Sequence, residues 1–192
     1  MTSNIHVVGV CGSRRDGSHT KTALEVSLQA SDQVGATTTL LDLRTLEIPP
    51  LDPDITAPGD VAHLTRVMAD ADAIILATPM YHGSYSGVLK NAIDHCGFDE
   101  FADKTVGLLA VSGGRFPVSS LEHLRTVCRS LNAWVLPYEA AIPESNIAFQ
   151  EGDLIDNQLA KRVQTLGRRI VEYARITPHQ TSFEGDENVG AQ

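Results

Sequence analysis

The residues best suited to ligand binding or chemistry lie in one polar segment, G-S-R-R-D-G-S-H-T, which runs from Gly12 to Thr20. Its glycines predict a turn after an apolar run, and Ser18 lies at the predicted start of a helix. A helix N-terminus offers free N–H donors and partial positive charge, which favour a phosphate. Four side chains add hydroxyl and guanidinium donors: Ser13, Arg15, Ser18 and Thr20. The alternative is a polar strand-to-helix turn with Ser18 as the N-cap, and the segment alone leaves both interpretations open.

The spacing of this segment differs from that of two common nucleotide-binding motifs. Gly9 and Gly12 are separated by two residues, which does not match the G-x-G-x-x-G pattern that binds a dinucleotide pyrophosphate. Gly12 and Gly17 have the four-residue gap of a P-loop, but Ser18 and His19 replace the Lys and Ser/Thr that contact phosphates and Mg²⁺. We therefore predict a terminal monophosphate, held mainly by hydroxyl groups and one Arg.

Two further segments have the composition of a site for a flat ligand. T-P-M-Y-H-G-S-Y-S-G, from Thr78 to Gly87, places backbone amides beside aromatic and sulfur surface, which suits a partly apolar heterocycle. V-S-G-G-R-F-P, from Val111 to Pro117, adds a second backbone-rich turn. The tyrosines of the first segment could instead be packing anchors, and His82 a hydrogen-bonded surface residue. Three such loops at one edge favour a binding site over three unrelated turns.

Alternating apolar runs and helical stripes must position these loops. The predicted strands are 5–11, 37–43, 73–78, 105–111 and 133–136. A helical stripe of apolar residues follows each strand, and the last one spans about residues 154–174. This alternation predicts an α/β fold, a three-layer sandwich around an open parallel sheet, because a closed barrel would need eight strands. Ligands of such sheets bind beyond the carboxyl ends of the strands, where the three loops lie.

Composition limits the classes of function. The chain has 192 residues and a formal net charge of −9, from 15 Lys and Arg against 24 Asp and Glu, which argues against nucleic acid and anionic membrane as partners. Its three cysteines are far apart and predict neither a disulfide framework nor a metal site. The sequence contains no long apolar run and no pattern of a signal peptide, so we expect a cytoplasmic protein. We predict one domain, residues 1–176, and an acidic, disordered tail, residues 177–192.

The loop residues resemble the NADPH-dependent FMN reductase family of flavodoxin-like proteins, which includes azo, quinone and chromate reductases. The resemblance covers about residues 5–175 and is most specific in T-P-M-Y-H-G-S-Y-S-G-V-L-K-N-A-I-D-H, from Thr78 to His95. It implies a five-stranded parallel sheet of order 2-1-3-4-5 and bound FMN. The cofactor-binding residues that it implies are Ser13, Arg15, Ser18, His19, Thr20, Pro79, Met80, Tyr81, His82, Gly83, Ser84, Ser112, Gly113, Gly114 and Arg115.

Within that set, the resemblance assigns the FMN phosphate to the segment Gly12–Thr20 and the isoalloxazine ring to the segments Thr78–Gly87 and Val111–Pro117. Arg115 is a candidate for the nicotinamide nucleotide's phosphate, with a solvated loop cation as the alternative. Four positions depart from the family's pattern. Thr20 stands where Asn is common, Met80 where Glu is frequent, His82 where Asn is frequent and Ser86 where Pro is frequent.

The implied activity is a two-step oxidoreductase. NADPH or NADH would reduce FMN, and the electrons would pass to a small-molecule acceptor by a ping-pong mechanism. The cofactor performs the chemistry, so no catalytic side chain and no metal are predicted. The helix V-L-K-N-A-I-D-H would form part of a homodimer or homotetramer face. The alternatives are a flavodoxin-like electron carrier without NAD(P)H activity and a nucleotide-binding regulatory module without turnover.

Overall fold

A computed structural model of the chain describes residues 4–176. Its strands are β1 (His6–Cys11), β2 (Thr37–Asp42), β3 (Ala73–Pro79), β4 (Thr105–Val111), β5 (Trp134–Val135), β6 (Ala140–Ile142), β7 (Phe149–Gln150) and β8 (Asp153–Leu154). Its helices are α1 (His19–Asp32), α2 (Val61–Ala69), α3 (Gly87–Asp94), α4 (Phe98–Phe101), α5 (Val118–Ser130), α6 (Ser145–Ala148) and α7 (Asn157–Glu172). The five predicted strands and the five predicted helices are all present, with ends that differ by a few residues.

The main sheet is parallel and has the order β2-β1-β3-β4-β5. This order confirms the prediction made from the family resemblance. Every residue of β3 and β4 is buried, as the uncharged composition of these two runs requires of strands covered on both faces. The reversal of strand order lies between β1 and β3, so the loops after these strands meet at one edge of the sheet.

The fifth position in the sheet differs from the prediction of one strand over 133–136. Two short strands share it, with Trp134 paired to Thr105 near the start of β4 and Ala140 paired to Leu109 near its end. Pro137 stands between them. A proline has no N–H to donate to the sheet, which explains why pairing stops and resumes three residues later.

Two layers of helices cover the sheet. On one face, α1 and α7 pack over Val7, Ile75 and Leu109. On the other face, α2, α3 and α5 pack over Val8, Ile74 and Leu108. Neighbouring residues of one strand therefore alternate between two cores, which is the three-layer arrangement that the alternation of elements predicts.

Helices α1 and α7 approach each other very closely at Gly167. A Cβ atom at this position would lie 2.0 Å from the carbonyl oxygen of Ser27. The hydroxyl of Ser31 donates a hydrogen bond to the carbonyl oxygen of Gly167 at 2.8 Å. Because α1 starts at the first polar segment, this contact helps to fix the helix whose N-terminus faces the predicted site.

Some elements were not predicted from the sequence. They are the four-residue helices α4 and α6 and the antiparallel hairpin of β7 and β8. No helix within residues 4–176 is long and apolar enough to span a membrane. The predicted tail, residues 177–192, lies outside the described residues.

Candidate functional site

The three predicted loops meet in a single cleft of about 160 Å³ at the carboxyl ends of β1, β3 and β4. We call it the main cleft. Its lining residues are Ser13, Arg15, Ser18, His19, Thr20, Pro79, Met80, Tyr81, Val111, Gly113 and Ser145. Nine of these eleven belong to the predicted set, and each of the three loops contributes at least one of the nine.

One end of the main cleft is the N-terminus of α1. Ser18 is the N-cap, and its hydroxyl oxygen accepts a hydrogen bond from the N–H of Lys21 at 3.2 Å. The N–H groups of His19 and Thr20 precede the first helical hydrogen bond, so they are available to a ligand. A capping hydroxyl accepts with its oxygen and keeps its own O–H free to donate. The two interpretations of Ser18, helix cap and phosphate ligand, are therefore compatible.

The two adjacent arginines of this loop face different spaces. Arg15 lines the main cleft, and its exposed guanidinium makes no ion pair or hydrogen bond within residues 4–176. Arg14 lines a separate cleft of about 300 Å³ between the segment after β2 and α3, which we call the apolar cleft. Its other lining residues are Leu43, Ile48, Pro50, Gly87, Val88 and Asn91. Of the two arginines, only Arg15 lines the main cleft, and it also lines a neighbouring polar cleft with Lys21 and Asp42.

Asp16 brings a negative charge to the same loop, and Arg44 compensates it. The two side chains form an ion pair at 2.6 Å. The hydrogen bond and the charge of Arg44 hold the pKa of Asp16 below its usual range. Both side chains are exposed, so the pair contributes little to stability, but it places a cation beside the carboxylate that follows Arg15 in the chain.

His19 is the only residue of the main cleft whose ring stacks on another ring within the described residues. Its imidazole lies flat on the ring of Phe149, with centroids 4.2 Å apart and planes 2° from parallel. Phe149 is buried at the start of β7 and comes from the hairpin that the sequence did not predict. Partial burial and the charge of Arg15 lower the pKa of His19.

The segment after β3 folds into a tight turn. Tyr81 and Ser84 exchange two backbone hydrogen bonds, of 2.9 and 3.0 Å, and the two residues between them have positive φ: His82 at 51° and Gly83 at 81°. Two-residue hairpin turns of type I′ require positive φ at both central positions, and His is among the residues that adopt it more readily. His82 therefore stands where the backbone needs Asn, Gly or a similar residue. Its side chain does not line the main cleft.

The Tyr81–Ser84 turn is also fixed from outside. The hydroxyl of Ser84 lies 3.0 Å from Nδ1 of His123 on α5. Its internal bonds occupy the N–H groups of Tyr81 and Ser84, and the N–H of Met80 donates to the carbonyl of Val111 at 2.8 Å. Of the N–H groups from Met80 to Ser84, those of His82 and Gly83 at the tip are the ones left for a ligand.

The third loop is held by hydrogen bonds with the segment before α6. The N–H of Ser145 donates to the carbonyl of Ser112, and that of Glu144 to the carbonyl of Gly114, both at 2.9 Å. These bonds bring Ser145 into the main cleft. Of the predicted residues in this loop, Gly113 lines the cleft, whereas Ser112, Gly114 and Arg115 do not.

Arg115 is engaged elsewhere. Its Nε donates to a carboxylate oxygen of Glu144 at 3.2 Å, and both side chains are substantially exposed. The structure thus places this cation in a surface ion pair, outside the lining of the main cleft. This geometry agrees better with the alternative interpretation, a solvated loop cation, than with a residue directed into the cleft.

Ser86 and Thr78 connect the first two loops and were not singled out from the sequence as structural residues. The Ser86 hydroxyl donates to the carbonyl of Gly12 at 2.6 Å and accepts from the N–H of Leu89 at 3.2 Å, which makes it the N-cap of α3. Its own N–H donates to the hydroxyl of Thr78 at 2.9 Å. Both side chains are buried, so this chain of hydrogen bonds fixes the first loop against β3 and α3.

The cysteines lie in the two cores and beside them. Burial raises the pKa of Cys11 to about 11 and those of Cys96 and Cys128 to about 12. Thiols with such pKa values stay protonated at neutral pH and are poor nucleophiles. Within residues 4–176, no group of three or more His, Cys, Asp or Glu side chains is placed to hold a metal ion.

Comparisons with known proteins identify the family. The profile of the NADPH-dependent FMN reductase family matches residues 5–146. The chain belongs to this family. It is 32% identical over 180 residues to an FMN-dependent NADPH-azoreductase of Staphylococcus haemolyticus, a match that covers 89% of this chain and 96% of that protein. It is 41% identical over 113 residues to the protein of the same name from Staphylococcus aureus, covering 57% of this chain and 60% of that one.

A solved structure shows the same fold. The apo form of an NADH:FMN oxidoreductase, EmoB, matches with a TM-score of 0.74 and 21% identity, over 91% of this chain and 92% of that one. The predicted flavodoxin-like fold, the family and the oxidoreductase class are thereby confirmed. So are FMN and NADPH as the cofactors of this flavin reductase, and NAD(P)H-driven reduction of FMN with transfer to an acceptor as its reaction.

Proposed function

We propose that this flavin reductase binds FMN in the main cleft, with the phosphate at the N-terminus of α1 and the ring against Pro79, Met80 and Tyr81. The observation that supports this assignment is the division of the cleft into two chemically different ends. One end has three hydroxyl side chains, a guanidinium and a helix N-terminus. The other has a proline, a methionine, a tyrosine and a glycine. FMN, when bound, accepts hydride from NAD(P)H and supplies electrons to the acceptor.

The phosphate end fits a terminal monophosphate. Ser13, Ser18 and Thr20 are almost fully buried, and each retains a hydroxyl hydrogen that can donate. Arg15 adds a charge that no protein carboxylate neutralises within the described residues. A buried cluster of donors with few acceptors favours an anion. In this proposal these residues bind and orient the cofactor and take no part in hydride transfer.

The ring end fits a flat ligand with one open side. A Cβ atom at Gly113 would meet no protein atom within 4 Å, so the space beside this glycine is available to a ring. Binding pockets that enclose a drug-sized ligand usually exceed roughly 300 Å³. The main cleft has about half that volume, so part of a flavin would remain accessible. We infer that nicotinamide and acceptor use this accessible side in turn, which gives a ping-pong mechanism.

The reduced cofactor gains negative charge, and N–H donors near the ring would stabilise it. The candidate donors are the backbone N–H groups of Tyr81–Ser84 and Gly113–Arg115. Within Tyr81–Ser84, the internal hydrogen bonds of the turn leave the N–H groups of His82 and Gly83 for this role. Within Gly113–Arg115, the N–H groups of Gly113 and Arg115 remain. Ser145, which the sequence did not indicate, adds a hydroxyl on the same wall of the cleft.

The acceptor in this proposal is a planar aromatic molecule such as a quinone, a flavin or an azo compound. The relatives named as azoreductases support the last of these. Tyr81, 54% exposed at the end of the cleft, and Phe116, 79% exposed on the adjoining loop, offer apolar surface for such a molecule. Steady-state rates over a panel of azo compounds, quinones and free flavins, with NADPH and NADH, measure the preference.

We also propose that the chain acts as a homodimer or homotetramer in the cytoplasm. The apolar cleft beside α3 supports the assembly, together with Leu51 and Ile55, which are about half exposed on the same connection after β2. The helix is the one that the family resemblance assigns to the subunit interface. Sedimentation equilibrium determines the oligomeric state, and a monomer at micromolar concentration contradicts this part of the proposal.

Titration with FMN tests the site itself. Removing a charge-assisted phosphate contact costs about 1.5 to 3 kcal/mol, and the exposure of Arg15 favours the lower end of this range. We expect Arg15→Ala to weaken FMN binding about tenfold in a flavin-fluorescence titration. Arg14→Ala is the matched control, since its guanidinium lines the other cleft, and it should change the dissociation constant less than roughly twofold. Equal losses in both variants would place the phosphate elsewhere.

An anaerobic mixture of protein, FMN and NADPH separates this function from that of an electron carrier. A reductase bleaches the flavin absorbance rapidly, whereas a carrier without NAD(P)H activity leaves it unchanged. Bleaching followed by return of the oxidised spectrum on addition of an acceptor supports both half-reactions.

A further inference from the structure

His19 lines the main cleft beside the cap of α1 without being the capping residue itself. It is the first residue of α1, and its side chain is half-buried between the cleft and the ring of Phe149. Neither ring nitrogen makes a hydrogen bond within residues 4–176, although Ser13, Ser18 and Thr20 all lie on the same wall. An imidazole held flat on one face, with its nitrogens unpartnered at a helix N-terminus, is placed to contact a ligand.

We propose that His19 is a ligand of the FMN phosphate whose charge is acquired on binding: the imidazole takes up one proton from solvent when the phosphate enters, and so selects FMN over riboflavin. This inference rests on the proposed function, because it requires FMN in the main cleft. Phe149 serves as the platform that fixes the plane of the ring. The proton adds to whichever ring nitrogen, Nδ1 or Nε2, is unprotonated in the neutral tautomer, and the imidazole becomes an imidazolium.

The electrostatics of the apo site favour the neutral form. Arg15 and the partial positive charge at the start of α1 both oppose a second cation at this place. Burial acts in the same direction, and together with Arg15 it lowers the pKa of His19. An arriving phosphate carries between one and two negative charges near pH 7 and reverses the sign of the local potential. With the phosphate bound, the local potential therefore favours the protonated imidazole, whereas in the apo protein it favours the neutral one.

Other titratable groups on the neighbouring elements are few and do not replace this effect. Phe149 is uncharged, and the acidic residues of its hairpin, Glu151 in the turn and Asp153 at the start of β8, are exposed to solvent. Glu144, before α6, is paired with Arg115. The wall formed by the second loop contributes the phenol of Tyr81. Arg15 is the charged group that acts on His19, and the other titratable groups on the neighbouring loops and the hairpin are Tyr81, Glu144, Glu151 and Asp153.

Two properties follow that a purely structural His19 would not produce. The dissociation constant for FMN should rise as the pH rises through the pKa of the imidazole in the complex, because the proton must be bound for the strong contact. The dissociation constant for riboflavin, which lacks the phosphate, should show no contribution from His19. The ratio of the two constants cancels effects on the ring end of the cleft.

The test measures FMN and riboflavin binding by fluorescence titration of the whole chain from pH 6.5 to 8.5. His19→Phe keeps an aromatic ring on Phe149 and removes the titratable nitrogens, and His19→Gln keeps a neutral hydrogen-bond donor. We expect both variants to bind FMN about tenfold more weakly than the wild type at pH 6.5 and riboflavin equally well. Both should also lose the wild-type decrease in FMN affinity with rising pH.

Calorimetry in two buffers of different ionisation enthalpy gives the number of protons taken up with FMN. The wild type should take up more protons than His19→Phe, which isolates the contribution of the imidazole from that of the phosphate itself. His63→Phe on α2 is the matched control, since His63 is exposed and contacts Arg66, and it should behave as the wild type.

The possible failures are distinguishable. Wild-type FMN affinity and proton uptake in His19→Phe and His19→Gln overturn the proposal for His19 and leave the proposed function intact. Equal losses of FMN and riboflavin in the two variants overturn it as well, because the residue would then act through packing alone. A wild-type protein that binds neither flavin refutes the proposed function and the role of His19 together.

Discussion

Replacement of Ser86 by Ala tests whether one hydroxyl joins the phosphate loop to the rest of the fold. The Ser86 hydroxyl is 2% exposed, caps α3 by accepting from Leu89 and donates to the carbonyl of Gly12. Losing an N-cap costs about 1 kcal/mol. A buried carbonyl left without its donor costs about 1 to 3 kcal/mol. The free energy of unfolding should therefore fall by about 2 to 4 kcal/mol in Ser86→Ala.

Urea unfolding followed by circular dichroism measures this loss, and FMN titration measures its consequence for the site. Gly12 directly precedes Ser13, so we expect FMN affinity to fall several-fold as well. Ser130→Ala is the control, because the Ser130 hydroxyl is exposed at the end of α5 and should change stability by less than about 0.5 kcal/mol. An unfolding free energy of Ser86→Ala within about 0.5 kcal/mol of the wild type would refute the coupling that we derive from these hydrogen bonds.

Five other perturbations, three substitutions and two solution experiments, have outcomes that the structure specifies. Gly167→Ala must separate α1 from α7, because its Cβ would lie 2.0 Å from the carbonyl oxygen of Ser27. The free energy of unfolding, measured in urea, should fall by about 3 kcal/mol or more. Gly87→Ala, whose Cβ meets no atom within 4 Å, should be neutral or stabilising. Asn91→Ala removes hydrogen bonds to the carbonyls of Ile48 and Pro49, so limited proteolysis should cleave the connection after β2 faster than in the wild type. The folded state raises the pKa of all three thiols to about 11 or 12, so at pH 8 each should react with a disulfide reagent at least about a hundredfold more slowly than after unfolding. Between pH 9 and 11 the thiols stay protonated in the folded state but ionise in the unfolded state, whose ordinary thiol pKa is 9.0. The free energy of unfolding should therefore fall as pH rises from 9 toward 11, and a constant value would contradict the raised pKa values.

The parts of the fold that the sequence predicts are those with strong local patterns. β3 and β4 are uninterrupted apolar runs, and α5 and α7 show apolar residues at helical spacing. The first loop was predicted as a phosphate site from donors within nine residues of each other. Such features depend on neighbouring residues alone, so they are visible without knowledge of the tertiary structure.

The parts that were missed depend on contacts between distant residues. Helix α6 and the hairpin of β7 and β8 have two to four residues per element, too few to show a period. Ser145 reaches the main cleft because its N–H bonds to Ser112, and Phe149 reaches His19 across 130 positions of sequence. No local pattern specifies which loop a distant hairpin will contact. The hydroxyl of Ser86 is a similar case, since its partner Gly12 is 74 residues away.

The departures from the family's usual residues have different consequences once their positions are known. His82 stands at a backbone position that needs positive φ, so its exchange for Asn preserves the turn and leaves the cleft wall unchanged. Ser86 acts through the carbonyl of Gly12 and the cap of α3, away from the ring. Met80 alone among these three lines the main cleft, beside Pro79 and Tyr81. A neutral, polarisable side chain there removes the negative charge that a Glu would hold next to the ring, which itself gains negative charge on reduction. Differences in acceptor preference between this chain and relatives with Glu should therefore originate at Met80 rather than at the other two positions.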